Sequence, residues 1–187
     1  MDLSKAFDCL PHDLLIAKMK AYGIGTHSLN LIFSYLSNRH QRVRIGSTVS
    51  DWLKILLGVP QGSILGPLLF NIFINDIFLF ITSCKICNFA DDNTLYACGV
   101  SVQDVIFKLT SDMASVMEWF NCNSMVVNPD KFQLIFPGSA NIKISLNVNG
   151  NQLMSMNKVE LLGITIDHKL TFYPHIVNIC KTANKKD

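Results

Sequence analysis

A long apolar segment, from Ile64 to Ile81, restricts the fold of this 187-residue chain more than any other feature. Its length approaches that of a membrane-spanning helix, but Asn71, Asn75 and Asp76 interrupt it. A charged side chain inside a bilayer is costly. We therefore expect a buried helix of a globular protein, beginning near Pro67, and no membrane partner.

The composition provides enough apolar material to surround such a helix. Hydrophobic residues make up 49% of the chain and charged residues 16%, which is typical of one folded domain and not of a disordered chain. The net charge of +2 permits a nucleic-acid partner but does not by itself indicate one.

Six cysteines occur without a regular framework. Cys84 and Cys87 form one CxxC pair, but a structural zinc needs four ligands, and no second pair or nearby histidine doublet supplies them. We expect buried free thiols and a reducing, intracellular location, in the nucleus or the cytoplasm.

Helical and extended patterns alternate along the rest of the chain. The clearest helix follows Ser101, whose spacing to Asp104 resembles a capping box, and an apolar stripe continues from there to Phe120. Strands are predicted mostly in hairpins, which indicates an α+β fold. Further predicted elements are helices from Pro11 to Gly23, after Thr26 and from Tyr173 to Thr182, a hairpin over residues 41–52, a hairpin around Asn149-Gly150, and a single strand from Val159 to Ile166.

Two adjacent carboxylates, Asp91 and Asp92, lie between short apolar runs, which predicts a hairpin with acidic residues at its turn. Paired carboxylates repel each other unless a cation neutralises them, and hard oxygen ligands suit Mg²⁺. Asp2 ends another predicted strand; if the two strands are neighbours, Asp2 and Asp91 bridge two metal ions about 3.5–4 Å apart. Aspartate is also common in ordinary turns, so the pair alone leaves both interpretations open.

Five segments, in order, resemble the reverse transcriptase domain of non-LTR (LINE/jockey-like) retrotransposons. They are DLSKAFD at 2–8, GVPQGSILGPLLF at 58–70, FADD at 89–92, NPDK at 128–131 and LLG at 161–163. The resemblance covers nearly the whole chain. It implies a right-hand polymerase palm, an antiparallel sheet with helices packed on one face, over residues 1–166. Residues 167–187 would begin the connection to a thumb or form a tail.

The resemblance also implies roles for individual residues. Two Mg²⁺ ions (or Mn²⁺) would be held by Asp2, Asp91 and Asp92, and Lys131 would act as general acid toward pyrophosphate. A surface lysine explains Lys131 equally well.

Phe7 matches the sugar gate, whose ring leaves no room for a 2′-hydroxyl and so favours dNTP. A core phenylalanine is the alternative. Gln61 and Gly62 match a loop near the template and the incoming nucleotide, where glycine allows close backbone approach. Leu162 and Gly163 match a turn that grips the primer.

Arg42 and Arg44 are predicted to share one face of a strand, and with Arg39 they form a basic stretch suited to phosphates. A solvated edge strand explains these arginines equally well.

The implied activity is RNA-directed DNA synthesis, in which a dNTP is joined to the 3′-hydroxyl of a DNA primer on an RNA template. Complete enzymes of this family carry fingers before the first motif and a thumb after the fifth. We therefore expect the fingers and thumb that are missing from this chain to be parts of a longer polyprotein. We expect this chain alone to be inactive or nearly so. Two other functions stay open: a catalytically silent remnant that folds or binds nucleic acid, and an RNA-dependent RNA polymerase, which Phe7 and the second motif disfavour.

Overall fold

The computed structural model describes residues 6–138 and 142–184, and within them five α-helices alternate with eleven short strands. The helices are α1 (His12–Ala21), α2 (Thr26–Leu36), α3 (Leu65–Ile74), α4 (Val102–Cys122) and α5 (Tyr173–Ala183). Short 3₁₀ helices cover Ala6–Asp8, Asn75–Phe80 and Pro129–Lys131. This mixture of helices with small, mainly antiparallel sheets agrees with the predicted α+β class.

Helix α4 begins as its sequence predicts. The hydroxyl of Ser101 accepts a hydrogen bond from the backbone N–H of Asp104 at 3.1 Å, which satisfies one of the free amides of the first turn. The apolar stripe then buries Val116, Trp119 and Phe120, and α4 packs mainly against the strand Ser145–Val148 and the 3₁₀ helix Asn75–Phe80.

The core lies where α1, α3 and α4 meet, and one partly buried ion pair crosses it. Nζ of Lys18 lies 2.6 Å from Oδ1 of Asp76 and also donates to the carbonyl of Phe73 at 2.9 Å. The indole N–H of Trp119 donates to the same Asp76 oxygen at 3.0 Å. The pair is partnered on both sides, as a buried charge requires.

The long apolar segment forms α3 followed by the 3₁₀ helix Asn75–Phe80. The helix starts at Leu65, slightly before the predicted Pro67, because the Ser63 hydroxyl accepts from the backbone N–H of Gly66 at 3.0 Å and so acts as a cap. Across the part of the chain that the structure describes, no helix is both long and apolar enough to cross a membrane.

The strands form small, separate sheets. Strands β1 (His40–Gln41), β2 (Arg44–Ile45), β3 (Thr48–Val49) and β4 (Leu53–Lys54) make one interrupted hairpin, and β5 (Lys85–Phe89) pairs with β6 (Asp92–Tyr96). In the three-stranded sheet, β9 (Asn151–Met156) lies between β8 (Ser145–Val148), which is antiparallel to it, and β7 (Leu134–Ile135), which is parallel. The last hairpin joins β10 (Lys158–Leu161) to β11 (Ile164–Asp167).

Two expectations are wrong. The single strand from Val159 to Ile166 is a hairpin, because Leu162 and Gly163 both adopt positive φ and reverse the chain. The cysteines of the described residues are free, as expected, but none is fully buried: Cys84 is partly covered and Cys87 is exposed, since it lies on the outward face of β5.

Candidate active site

The predicted hairpin around the paired carboxylates is present. Phe89 pairs with Asp92, so Ala90 and Asp91 form the two-residue turn, and Ala90 has φ +52. The Asn93 amide donates to the backbone oxygen of Asp91 at 2.9 Å and holds this turn. Both carboxylates are half-buried. Asp91 therefore lies in the turn itself, and Asp92 is the first residue of β6.

The base of this hairpin is attached to α4 through Asp112, a residue that is only 1% exposed. Its Oδ2 accepts from the backbone N–H groups of Thr82, Ser83 and Cys84 at 3.2, 2.8 and 2.6 Å. Its Oδ1 accepts from the Thr82 hydroxyl at 2.9 Å. Four donors to one carboxylate fix the chain just before β5 begins.

These contacts shift two pKa values. Burial acts to raise the pKa of Asp112, but the amides of Cys84 and Ser83 and the Thr82 hydroxyl together hold it below its ordinary value. Burial, and next the negative charge of Asp112, raise the pKa of the Cys84 thiol to about 12. Asp112 is therefore ionised and Cys84 protonated at neutral pH.

The first and second motifs lie against each other. The backbone N–H of Gly58 donates to the Leu10 carbonyl at 2.7 Å, and that of Val59 donates to Phe7 at 2.8 Å. Gly58 has φ +83, and a Cβ added there would lie 2.6 Å from the Asp8 Cα. Only glycine allows this approach.

Phe7 is half-buried, and its ring stacks on the fully buried ring of Phe70 in α3, with centroids 4.6 Å apart and planes inclined by 27°. This places Phe7 neither wholly inside the core nor free in solvent. One side of its ring is backed by α3, while the side chain keeps some access to solvent.

Gln61 and Gly62 lie exposed in the loop before α3. Nε2 of Gln61 donates to Oδ1 of Asp8 at 2.8 Å, a direct side-chain contact between the first two motifs. Gly62 has φ +75 and no neighbour within 4 Å of an added Cβ, so the space beside it is open.

The other predicted site residues lie on separate elements. Lys131 is exposed at the end of the 3₁₀ helix Pro129–Lys131, where the Asn128 side chain caps the first turn. Leu162, with φ +50, and Gly163, with φ +78, form the exposed turn between β10 and β11. Asp2 lies outside the described residues.

Arg42 and Arg44 lie on the exposed hairpin β1–β4, and the Arg42 guanidinium stacks over the Trp52 ring at 4.5 Å from its centroid. This hairpin is distinct from the one that carries Asp91.

Among residues 6–138 and 142–184, no group of three or more histidine, cysteine or acidic side chains is positioned to hold a metal ion. Within the same ranges the ion pairs are Lys18–Asp76 and Lys108–Asp104, so neither Asp91 nor Asp92 is neutralised by a lysine or arginine. Two uncompensated carboxylates at one turn are a donor set suited to a hard divalent cation.

Four residues contribute contacts to this arrangement although the motifs assigned them no role in it. Two of them lie within the matching segments: Asp8, which accepts a hydrogen bond from Gln61, and Phe70, which stacks on Phe7. Their place in the motifs was a signal that could have identified them. Asp112 and Trp52 lie outside the five motifs and make their contacts through the tertiary structure.

Comparison with known proteins identifies the family of the chain. Residues 1–166 match the family described as reverse transcriptase (RNA-dependent DNA polymerase). The chain is 29% identical over 190 residues to the probable RNA-directed DNA polymerase from transposon BS of Drosophila melanogaster, covering 94% of this chain and 20% of that protein. It is 28% identical over 195 residues to the RNA-directed DNA polymerase from mobile element jockey of the same species, covering 100% of this chain and 21% of that protein. It is 24% identical over 202 residues to the retrovirus-related Pol polyprotein from type-1 retrotransposable element R2 of Popillia japonica, covering 97% of this chain and 32% of that protein.

The fold and the matched motifs thus define a reverse transcriptase domain, and the chain belongs to that family. Within it, the relatives place the sequence with the polymerases of non-LTR retrotransposons, as its motifs predicted. The chain spans between a fifth and a third of the length of these relatives.

Proposed function

We propose that this chain forms the catalytic palm of an RNA-directed DNA polymerase, which joins a dNTP to the 3′-hydroxyl of a DNA primer on an RNA template. The observation that carries the proposal is the Asp91–Asp92 turn. Both carboxylates are half-buried, lack a cationic partner among the described residues, and lie on a hairpin anchored by Asp112. Carboxylate oxygens are the ligands that hard divalent cations such as Mg²⁺ take in proteins.

Asp91 and Asp92, together with Asp2, would hold two Mg²⁺ ions, with Mn²⁺ as a substitute. Divalent metals supply the positive charge that lowers the pKa of an attacking hydroxyl and stabilises a leaving pyrophosphate. The protein's part is to hold the hairpin that carries the carboxylates in place, which the hydrogen bonds of Asn93 and Asp112 support.

The residues around this centre would select and position the substrates. Phe7, held from behind by Phe70, would exclude a 2′-hydroxyl and so favour dNTP. Gln61 and Gly62 would face the template and the incoming nucleotide, with Gln61 kept in place by Asp8 until they arrive. Lys131 is exposed, as a general acid toward pyrophosphate must be.

Leu162 and Gly163 would hold the primer. A leucine with positive φ is uncommon outside functional or strained turns, and Leu162 keeps an exposed side chain in that conformation. In this arrangement residues 1–166 are the palm, and residues 167–187, most of which form α5, lead toward the thumb.

Primer extension tests the proposal. Because the chain spans only part of its relatives, residues 1–187 replace the matching segment of the jockey polymerase, and the chimera is assayed on polyriboadenylate with an oligodeoxythymidylate primer, dTTP and Mg²⁺. We expect extension that Asp91→Ala reduces to background. Asp13→Ala, which removes an exposed carboxylate from α1, serves as the control and should leave extension unchanged.

Metal binding by the chain itself gives a second readout. Mn²⁺ bound to residues 1–187 is measured by electron paramagnetic resonance, and Asp91→Asn with Asp92→Asn should weaken it at least about tenfold, as loss of carboxylate ligands does. If the chimera binds template and primer without extending the primer, and the two substitutions leave the Mn²⁺ affinity of residues 1–187 unchanged, the catalytically silent remnant is favoured instead.

A further inference from the structure

Residues 39–55, which we call the basic ribbon, form a two-stranded hairpin with a bulge in its second strand. His40 pairs with Lys54 and Gln41 with Leu53, while Arg44 pairs with Val49 nearer the tip. The register therefore changes by one residue along the ribbon. The change leaves Arg42 opposite both Asp51 and Trp52, which is the arrangement of a β-bulge.

The bulge brings a cation and an aromatic ring together at the surface. The Arg42 guanidinium lies 4.5 Å from the centroid of the Trp52 ring, within the range of a cation–π contact. Trp52 nevertheless remains 60% exposed, whereas Trp119, the other tryptophan, is buried at 1%. A solvent-accessible indole backed by a guanidinium is a flat surface on which another ring can stack.

The net positive charge of the chain comes from this ribbon. Its four cationic side chains (Arg39, Arg42, Arg44 and Lys54) and its single acidic residue, Asp51, give it a net charge of +3. The whole chain carries +2, so the remaining residues together carry −1. A polyanion is therefore attracted to the ribbon more than to the rest of the surface.

Nothing within the described residues covers the ribbon. Val43, Ile45 and Leu53 are all more than half exposed, and every residue from His40 to Lys54 is exposed. An isolated two-stranded hairpin is only marginally stable in water, and exposed apolar side chains among cations commonly mark a binding surface. The ribbon therefore offers an uncovered surface to a partner.

We propose that the basic ribbon binds single-stranded nucleic acid, with an unpaired base stacked on Trp52 and the arginines on the neighbouring phosphates. Single-strand sites in general combine a positive surface with aromatic side chains on which bases stack. Duplex nucleic acid offers phosphates but no free base face, so the exposed indole favours a single strand. In the polymerase proposed above, whose function this role rests on, that strand is the template.

Binding is measured on residues 1–187 in EDTA, without dNTP, by the fluorescence anisotropy of a labelled oligouridylate. Trp52→Ala should weaken binding about 5- to 100-fold and leave its salt dependence unchanged, because stacking releases no counterions. Trp52→Phe, which keeps an aromatic face, should bind nearly as the unmutated chain does. Arg42→Gln should weaken binding and reduce the slope of log K against log salt by about 0.7, the value for one phosphate contact on a single strand.

Two controls separate the ribbon from the general charge of the protein and from the polymerase. Lys20→Gln removes one exposed positive charge from α1, outside the ribbon, and should change affinity less than Arg42→Gln does. Oligouridylate should also quench the fluorescence of the unmutated chain, and this quenching should disappear in Trp52→Phe.

The proposal is overturned if Trp52→Ala binds as tightly as the unmutated chain, or if an RNA duplex of the same length binds equally well. Because the assay contains no metal and no dNTP, this outcome is independent of primer extension. A chimera without polymerase activity but with Trp52-dependent binding would reject the catalytic proposal alone.

Discussion

The backbone nitrogen of Cys84 lies 2.6 Å from Oδ2 of Asp112, although the two residues are 28 positions apart. Through this contact and those of Thr82 and Ser83, helix α4 holds the chain at the point where β5 begins. The strand then leads directly to the turn that carries Asp91 and Asp92. A buried carboxylate with no part in the motifs thus fixes the element that presents the candidate catalytic ones.

Asp112→Asn should lower the free energy of unfolding by about 1–3 kcal/mol, because an amide cannot accept the same set of donors and leaves buried N–H groups unpaired. Urea unfolding measures the change. Glu118→Gln makes the same chemical change at an exposed position of α4 and should stay within about 0.5 kcal/mol of the unmutated protein. Equal stabilities for the two variants would contradict the anchoring role of Asp112.

The same carboxylate gives the fold an acid-sensitive component. The pKa of Asp112 is lower in the folded protein than the ordinary value of about 3.9 for an unfolded chain. Its stabilisation is therefore complete above about pH 4 and is lost as the pH falls through the lower, folded value. The difference in unfolding free energy between the unmutated protein and Asp112→Asn should be constant from pH 6 to about pH 5 and shrink below pH 4. Asp167, whose pKa is also lowered, is present in both proteins and cancels in this difference.

The Cys84 thiol should react slowly with alkylating agents. Its pKa is raised to about 12, first by burial and then by Asp112, so almost no reactive thiolate forms at pH 8. Mass spectrometry after timed exposure to iodoacetamide should show Cys84 modified about 100-fold more slowly than the exposed Cys87. In Asp112→Asn, kept folded at low temperature, Cys84 should react faster, since one cause of the raised pKa has been removed. Equal rates at Cys84 and Cys87 in the folded protein would refute the prediction.

Gly58→Ala should destabilise the contact between the first two motifs by about 2–4 kcal/mol. The new Cβ meets the Asp8 backbone at 2.6 Å, and a φ of +83 is itself unfavourable for alanine. Gly46→Ala is the matched control, because Gly46 also has a positive φ, +60, but lies at the tip of the basic ribbon with open space around it. Its cost should be the backbone strain alone, about 1–2 kcal/mol. Urea unfolding of both variants separates the close approach from the strain.

Local sequence patterns predicted the elements whose signals are local. Ser101 and the apolar stripe after it identified α4, and the apolar runs on either side of Asp91-Asp92 identified the β5–β6 hairpin. The β10–β11 turn was missed by periodicity, because apolar residues continue across it and leucine is uncommon at positive φ; only the motif match marked Leu162 and Gly163.

Contacts between distant segments gave no such signal. Asp112 lies within the apolar stripe of α4, and all of its partners belong to a segment about 30 residues earlier in the chain. The bulge that pairs Arg42 with Trp52 depends on a one-residue change of register, which alternating residues do not reveal. The placement of Asp2, which the motifs assign to the metal site, stays a prediction.

The stacking of Phe7 on Phe70 leads to a prediction about sugar selectivity. If Phe7 excludes the 2′-hydroxyl, its ring must be kept from moving away, and Phe70 is the ring that backs it at 4.6 Å. In the chimera, Phe7→Val should raise the use of rUTP relative to dTTP most strongly. Phe70→Leu should raise it by a smaller factor, about 2- to 10-fold, since an aromatic pair contributes about 0.5–1.5 kcal/mol beyond its buried area. Phe73→Leu makes the same change at another fully buried position of α3, which is not part of the stack with Phe7. It should leave the use of rUTP relative to dTTP unchanged even if it lowers stability. The ratio of kcat/KM for the two nucleotides is the deciding measurement, because loss of stability alone lowers both values together. If Phe7→Val leaves this ratio unchanged, Phe7 is not part of the nucleotide site and is a core residue instead.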